Sequence, residues 1–196
     1  MESKQNIRAD EAIERLLEGN RRFVTAEITH PHQDPTRRMA LNQGQAPFAA
    51  VLACADSRVP PEVIFDQGLG DLFVVRVAGN IINDQILGSL EYACGHLGTP
   101  LIMVMAHSCC GGIGAVASGA ELEGHIASLV PEIQPAVERV KGQPGDLVDN
   151  AAMEVARTTA EKLRHSEPVL KKLVADGRVK VVSAFYELES GEVKLL

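Results

Sequence analysis

Two short segments half a chain apart carry the groups most able to do chemistry: Cys54-Ala-Asp56-Ser-Arg58 and His107-Ser-Cys109-Cys110. Cys and His are the preferred protein ligands of zinc, and three of them with a fourth position left to water make a catalytic site rather than a structural one. His107 and Cys110 stand three apart at a strand-to-helix turn, so both can face one point, and Cys54 can join them from a second strand end. Cys109 is the competing thiol, but adjacent residues at a turn usually point apart, which favours Cys110. Asp56 can point at the metal's fourth position, and Arg58 can pair with it and hold it ionised. Asp56 could accept the proton of a metal-held hydroxide, or bind the metal itself and switch the site off.

Each of these residues also has a plainer reading. A free Cys is most often a small buried hydrophobe, and Asp56-Ser57-Arg58 could be a surface turn with a local ion pair of little worth. What favours chemistry is that both segments close apolar runs, Phe48 to Ala53 and Leu101 to Ala106, and so sit at matching strand ends. Cys94 lies among Ala93 and Leu97 on a helix and reads as core. His30 and His32 fall in a proline-containing loop and read as surface residues.

The elements that must position the segments follow from periodicity. Ala9 to Phe23 has helical spacing, with Ile13, Leu16, Leu17 and Phe23 near one face. Thr29 to Thr36 reads as a loop, and Asp71 to Val77 as a strand closed by Ala78-Gly79-Asn80. Asp84 to Leu97 reads as a helix stopped by Gly98. Gly111-Gly112 opens another helix. Glu121 to Leu129 and Asp146 to His165 are expected to be helical, separated by the Pro- and Gly-rich stretch Pro131 to Gly145. A helix from Pro168 to Asp176, a strand from Val179 to Glu187 and a last strand from Val193 to Leu196 complete the chain. Strands alternating with helices predict an α/β fold with a mostly parallel central sheet flanked by helices. Ligands of such sheets sit beyond the carboxyl ends of the strands.

Bulk properties agree with one soluble domain. The chain has 196 residues, 45% hydrophobic and 23% charged, with no Trp. A net charge of -7 without a basic run argues against nucleic acid. Four Cys without a C-x-x-C pair do not form a disulfide framework. Met1 to Asn6 lacks the apolar stretch of a leader, and no apolar run could span a bilayer. The expectation is a cytoplasmic protein whose thiols stay reduced.

Taken together, the segments Cys54-Ala-Asp-Ser-Arg58, Val74-Val-Arg-Val-Ala-Gly-Asn80, Ser89-Leu-Glu-Tyr-Ala93 and His107-Ser-Cys-Cys-Gly-Gly112 make the chain resemble the β-class carbonic anhydrases over roughly residues 10 to 190. The resemblance implies one Zn2+ per chain held by Cys54, His107 and Cys110, with Asp56 and Arg58 as a functional dyad. The implied reaction is reversible hydration of carbon dioxide to bicarbonate and a proton, by attack of metal-held hydroxide. It places Gln45, Phe73 and Tyr92 around the substrate and gives the Gly111 N–H a part in binding small carboxylates. It also implies a single domain over residues 1–196 with a helical arm over 1–40. That arm, including Ala9 to Phe23, would clasp a partner subunit in a homodimer or higher homo-oligomer.

The sequence departs from the family in two places. Ala106 stands where a Gly precedes the motif His. Val51 stands where a subset of members uses a Trp, with an Arg and a Tyr, to bind inhibitory bicarbonate; Arg76 and Tyr186 could supply only the other two. An open site with water at the metal is therefore expected near neutral pH. The familiar pKa of about 7 for zinc-bound water belongs to an unrelated carbonic anhydrase with three neutral imidazoles. Two thiolates cancel the cation's formal charge, so this donor set should acidify water less. The rival readings are hydrolysis of carbonyl sulfide or carbon disulfide on the same scaffold, a non-catalytic bicarbonate or metal sensor, and a redox protein using Cys109-Cys110.

Overall fold

Continuous apolar runs form strands only where helices cover both sheet faces. Two such runs become β1 (Ala49–Ala53) and β3 (Leu101–His107), in which every residue is buried. The computed structural model describes residues 7–196; the polar stretch Met1 to Asn6 lies outside the described residues. β2 (Leu72–Arg76), β4 (Lys180–Tyr186) and β5 (Val193–Leu195) complete a five-stranded sheet in the order β2-β1-β3-β4-β5. The first four strands run parallel and β5 is antiparallel to β4.

The helices are α1 (Ala9–Val24), α2 (Pro35–Ala40), α3 (Pro61–Ile64), α4 (Asp84–Glu91), α5 (Gly111–Ala117), α6 (Val130–Val140), α7 (Leu147–Arg164) and α8 (Leu170–Ala175). From β1 the chain crosses to β2 on one side, and β3 then takes the other side of β1. The order thus reverses between β1 and β3, and the crevice beyond their carboxyl ends is the place where open sheets bind ligands. Cys54 directly follows β1 and His107 ends β3.

Four local expectations are corrected. The Pro- and Gly-rich stretch 131–145 is mostly α6. Pro131 lies in its first turn, where a missing N–H costs nothing, and Pro135 removes one interior bond. Burial of Ile133, Ala136, Val137 and Val140 at helical spacing outweighs that loss. Residues 121–129 form only 3-10 turns from Gly124 to Leu129. The loop before residue 36 ends early, because Asp34 accepts the Arg37 N–H and starts α2 at Pro35. The helix over 84–97 is α-helical only to Glu91 and continues as a π-turn from Tyr92 to His96.

α1 buries Ala12, Ile13 and Leu16 and approaches α3 so closely that a Cβ on Gly19 would stand 1.7 Å from the Phe65 carbonyl oxygen. Asn20 locks this contact. Its Nδ2 donates to the Ile64 carbonyl (3.2 Å) and the Gly191 carbonyl (2.8 Å), and its Oδ1 accepts the Val193 N–H (2.8 Å). One buried amide therefore ties α1 to the end of α3 and to β5. Asn20→Ala leaves three buried backbone groups unpaired and is expected to cost about 2–4 kcal/mol. Urea unfolding checks this, and a loss below about 1 kcal/mol would contradict it.

Candidate metal centre

The two strand ends bring Cys54, His107 and Cys110 together. One ligand atom from each lies within 4.8 Å of the others, and all three residues are buried. The sulfurs of Cys54 and Cys110 are 3.9 Å apart. His107 Nδ1 is 2.8 Å from the Ser108 carbonyl oxygen, so it is the nitrogen that carries the proton. That leaves Nε2 with its lone pair aimed inward, and among the described residues this buried nitrogen has no hydrogen-bond partner. A buried acceptor costs free energy unless something binds it. Two convergent thiols and an orphaned imidazole nitrogen are the donor set of a borderline-soft divalent cation.

The turn after β3 separates the vicinal thiols. Cys109 takes a left-handed conformation, with φ 53°, and is exposed, whereas Cys110 is buried. Both are free thiols that face different environments. Cys94 is buried in apolar surroundings that push its thiol up to about 12, consistent with a core residue.

The sulfur pair is electrostatically asymmetric. A hydrogen bond from the Cys110 thiol, with smaller help from the Asp56 and Gly79 N–H groups, holds Cys54 well below the ordinary thiol range. The same bond, together with burial, pushes Cys110 well above it. Without a cation the pair therefore keeps one proton between the sulfurs. Loading a cation on both must expel it, so metal affinity falls as pH falls.

Asp56 faces this cluster, its Oδ2 4.0 Å from His107 Nε2. Arg58 grips the carboxylate with Nε on Oδ1 (2.9 Å) and a terminal nitrogen on Oδ2 (2.8 Å), and the Arg58 N–H adds a third bond to Oδ1 (2.9 Å). That guanidinium holds the Asp56 carboxyl well below the usual carboxylate range. The dyad is thus a fixed, ionised acceptor at the rim of the site.

Residues that the sequence did not single out for this purpose support the ligands. Arg76 donates from Nε to the Cys54 carbonyl (2.9 Å) and from a terminal nitrogen to the Asp56 carbonyl. It therefore braces the segment that carries the dyad. Gly79 points its N–H at Cys54 Sγ (3.4 Å), from a left-handed turn with φ 69°. A Cβ there would meet Ile133 Cδ1 at 2.9 Å. The Val74–Asn80 segment was the available signal for both roles. Asp149 accepts the Cys109 N–H (2.8 Å) from 40 residues away, and no local pattern could have revealed it.

The other candidates are less concentrated. The Gly111 N–H belongs to the first residue of α5, beside Cys110. Phe73 pairs in register with Ala50, about 10 Å before the carboxyl end of β2 at 3.3 Å per residue. Tyr92 lies against Phe73 (6.2 Å between ring centroids), stacks on His96 (5.5 Å) and is 46% exposed. Gln45 is exposed in the loop before β1. Phe73 and Tyr92 adjoin each other on the β2 side. Val51 is packed inside β1, and Tyr186 is buried opposite His107.

The fold and the Cys-His-Cys centre at its switch point define a β-class carbonic anhydrase. Residues 49–193 match the family described as carbonic anhydrase, and this chain belongs to that family of lyases, whose general reaction is the hydration of carbon dioxide. It is 38% identical to carbonic anhydrase 2 of Mycobacterium tuberculosis over 184 residues, which cover 92% of this chain and 89% of the relative. A β-carbonic anhydrase of Coccomyxa, solved with acetazolamide, superposes with a TM-score of 0.75 at 26% identity, covering 92% of this chain and 84% of that one. A tetrameric β-carbonic anhydrase of Sordaria macrospora shares the fold, with a TM-score of 0.77 at 24% identity over 95% of this chain and 97% of that one.

Proposed function

We propose that this chain is a zinc-dependent carbonic anhydrase that interconverts carbon dioxide with bicarbonate and a proton. The observation that carries the reading is the convergence of Cys54, Cys110 and the orphaned His107 Nε2 beside an Asp56 held ionised by Arg58. Cys54, His107 and Cys110 would hold one zinc ion, which supplies the Lewis acidity that makes water a nucleophile near neutral pH. Asp56 Oδ2 accepts a hydrogen bond from the attacking water and so fixes which lone pair faces carbon. Arg58 keeps that carboxylate ionised and in place, and Arg76 holds the segment from Cys54 to Asp56. The Gly111 N–H donates to the carboxylate product.

Phe73, Tyr92 and Gln45 complete the pocket when a second copy brings its β2 side against the strand ends. The exposure of Tyr92 and the edge position of β2 support this homo-oligomeric reading. A monomeric species with full turnover would contradict it. No helix among the described residues is long and apolar enough to cross a membrane. Four free thiols suit a reducing compartment, and we place the protein in the cytoplasm on that ground.

Stopped-flow carbon dioxide hydration with zinc quantified per chain tests the proposal. One zinc per chain and a rate that rises between pH of about 7 and 9 are expected, because two thiolates leave the cation less able to acidify water than three imidazoles would. A flat profile across that range would overturn the charge argument. Turnover of carbonyl sulfide without turnover of carbon dioxide would overturn the substrate.

A further inference from the structure

The four residues His107 to Cys110 must turn so that His107 and Cys110 face inward while Cys109 faces out. The residues flanking Cys109 bond to other main-chain groups. The Ser108 N–H donates to the Tyr186 carbonyl (3.0 Å), and the Cys110 carbonyl accepts the Gly114 N–H (2.8 Å). Ser108 Oγ accepts the Leu188 N–H (2.9 Å). Cys109 differs, because both of its backbone groups are held by charged side chains from distant segments. Its carbonyl accepts from Arg58 (3.2 Å) and its N–H donates to Asp149 Oδ1 (2.8 Å).

Cys109 is also the residue that needs holding. Its φ of 53° lies in the left-handed region, which Gly adopts freely but L residues other than Asn and Asp seldom do. Such a conformation persists only where its surroundings over-determine it. Asp149 is well suited to do so. Its own N–H is fixed by the Asp146 carboxylate (3.0 Å) at the start of α7, and α7 is anchored by the fully buried Ala151 and Ala152.

We propose that Asp149 is a positioning residue of the metal centre: by holding the Cys109 amide it keeps that residue left-handed and so turns Cys110 Sγ toward Cys54 and His107. The inference rests on the reading of Cys110 as a zinc ligand. Asp149 touches neither metal nor substrate.

The test is zinc affinity of the full chain, measured by chelator competition, with thermal unfolding recorded for every variant. Asp149→Ala is expected to weaken zinc binding about 10–100-fold, the usual effect of losing a group that orients a ligand. Asp149→Asn keeps an acceptor oxygen at the same place and should stay within about threefold of the parent. Cys109→Gly added to Asp149→Ala should recover most of the loss, because Gly adopts positive φ unaided. That rescue is the outcome a general structural role does not produce. Should Asp149→Ala fail to fold, Asp149→Ser, whose hydroxyl falls short of the Cys109 amide, carries the same expectations. Parent-like affinity in the folded Ala or Ser variant, or a double variant no better than the single one, overturns the proposal. Parent-like affinity in Cys110→Ser overturns instead the ligand reading on which it rests.

Discussion

Cys110→Ser is expected to abolish zinc retention and carbon dioxide hydration, whereas Cys109→Ala keeps both. A hydroxyl in place of the thiol leaves only Cys54 and His107 as donors, and an alcohol does not ionise where a thiol already resists ionisation. Zinc content after dialysis should fall below about a tenth of an equivalent, because affinity requires deprotonated ligands that converge. The neighbouring substitution removes an exposed group whose backbone, not its sulfur, is engaged. The outcome depends on which way each sulfur points, and on nothing that distinguishes the two residues chemically. Zinc retained by Cys110→Ser and lost by Cys109→Ala would reverse the assignment. The fold should survive either change, because Ser differs from the buried Cys110 by a single atom and Cys109 is exposed, and circular dichroism checks that.

The second large effect is expected at Asp56. Asp56→Asn preserves shape and one acceptor oxygen, and it should retain zinc at one per chain while turnover falls about 10²–10⁴-fold, the range for losing a positioned proton acceptor. The pH dependence separates this role from simple titration. The Asp56 carboxyl is held well below the usual carboxylate range, chiefly by its bonds to Arg58. A carboxylate with a lowered pKa contributes stability that is present above its unfolded value and lost as pH falls through its folded one. Asp56 is therefore ionised throughout the working range, and a rise in rate between pH of about 7 and 9 cannot be its titration. The Asn variant should lower the whole profile without moving its midpoint. Full activity in that variant would remove Asp56 from the mechanism.

Much of the architecture was legible because it rests on local spacing. Continuous apolar runs announced β1 and β3, and helical periodicity announced α1 and α7 within a residue or two. The corrected segments are those where two local signals compete. Around α6 the two prolines argued for a break, and only the core contact of Ile133 and Val137 shows why the helix persists. Residues 121–129 carry apolar residues that suggested a helix, but only Leu129 is buried there, so little core contact is available to stabilise a full one.

The site divides in the same way. Residue types and near-neighbour spacing by themselves determined that two thiols, an imidazole and an ion-paired carboxylate would meet at matching strand ends, because a strand end fixes where the next residue stands. Tertiary structure decided the rest: the left-handed turn at Cys109, the clamp of Asp149 on its amide, and the brace of Arg76. The clamp and the brace are contacts between segments far apart in the chain, and they fix the turn. Such contacts follow from how helices and strands pack, and local sequence pattern does not encode them.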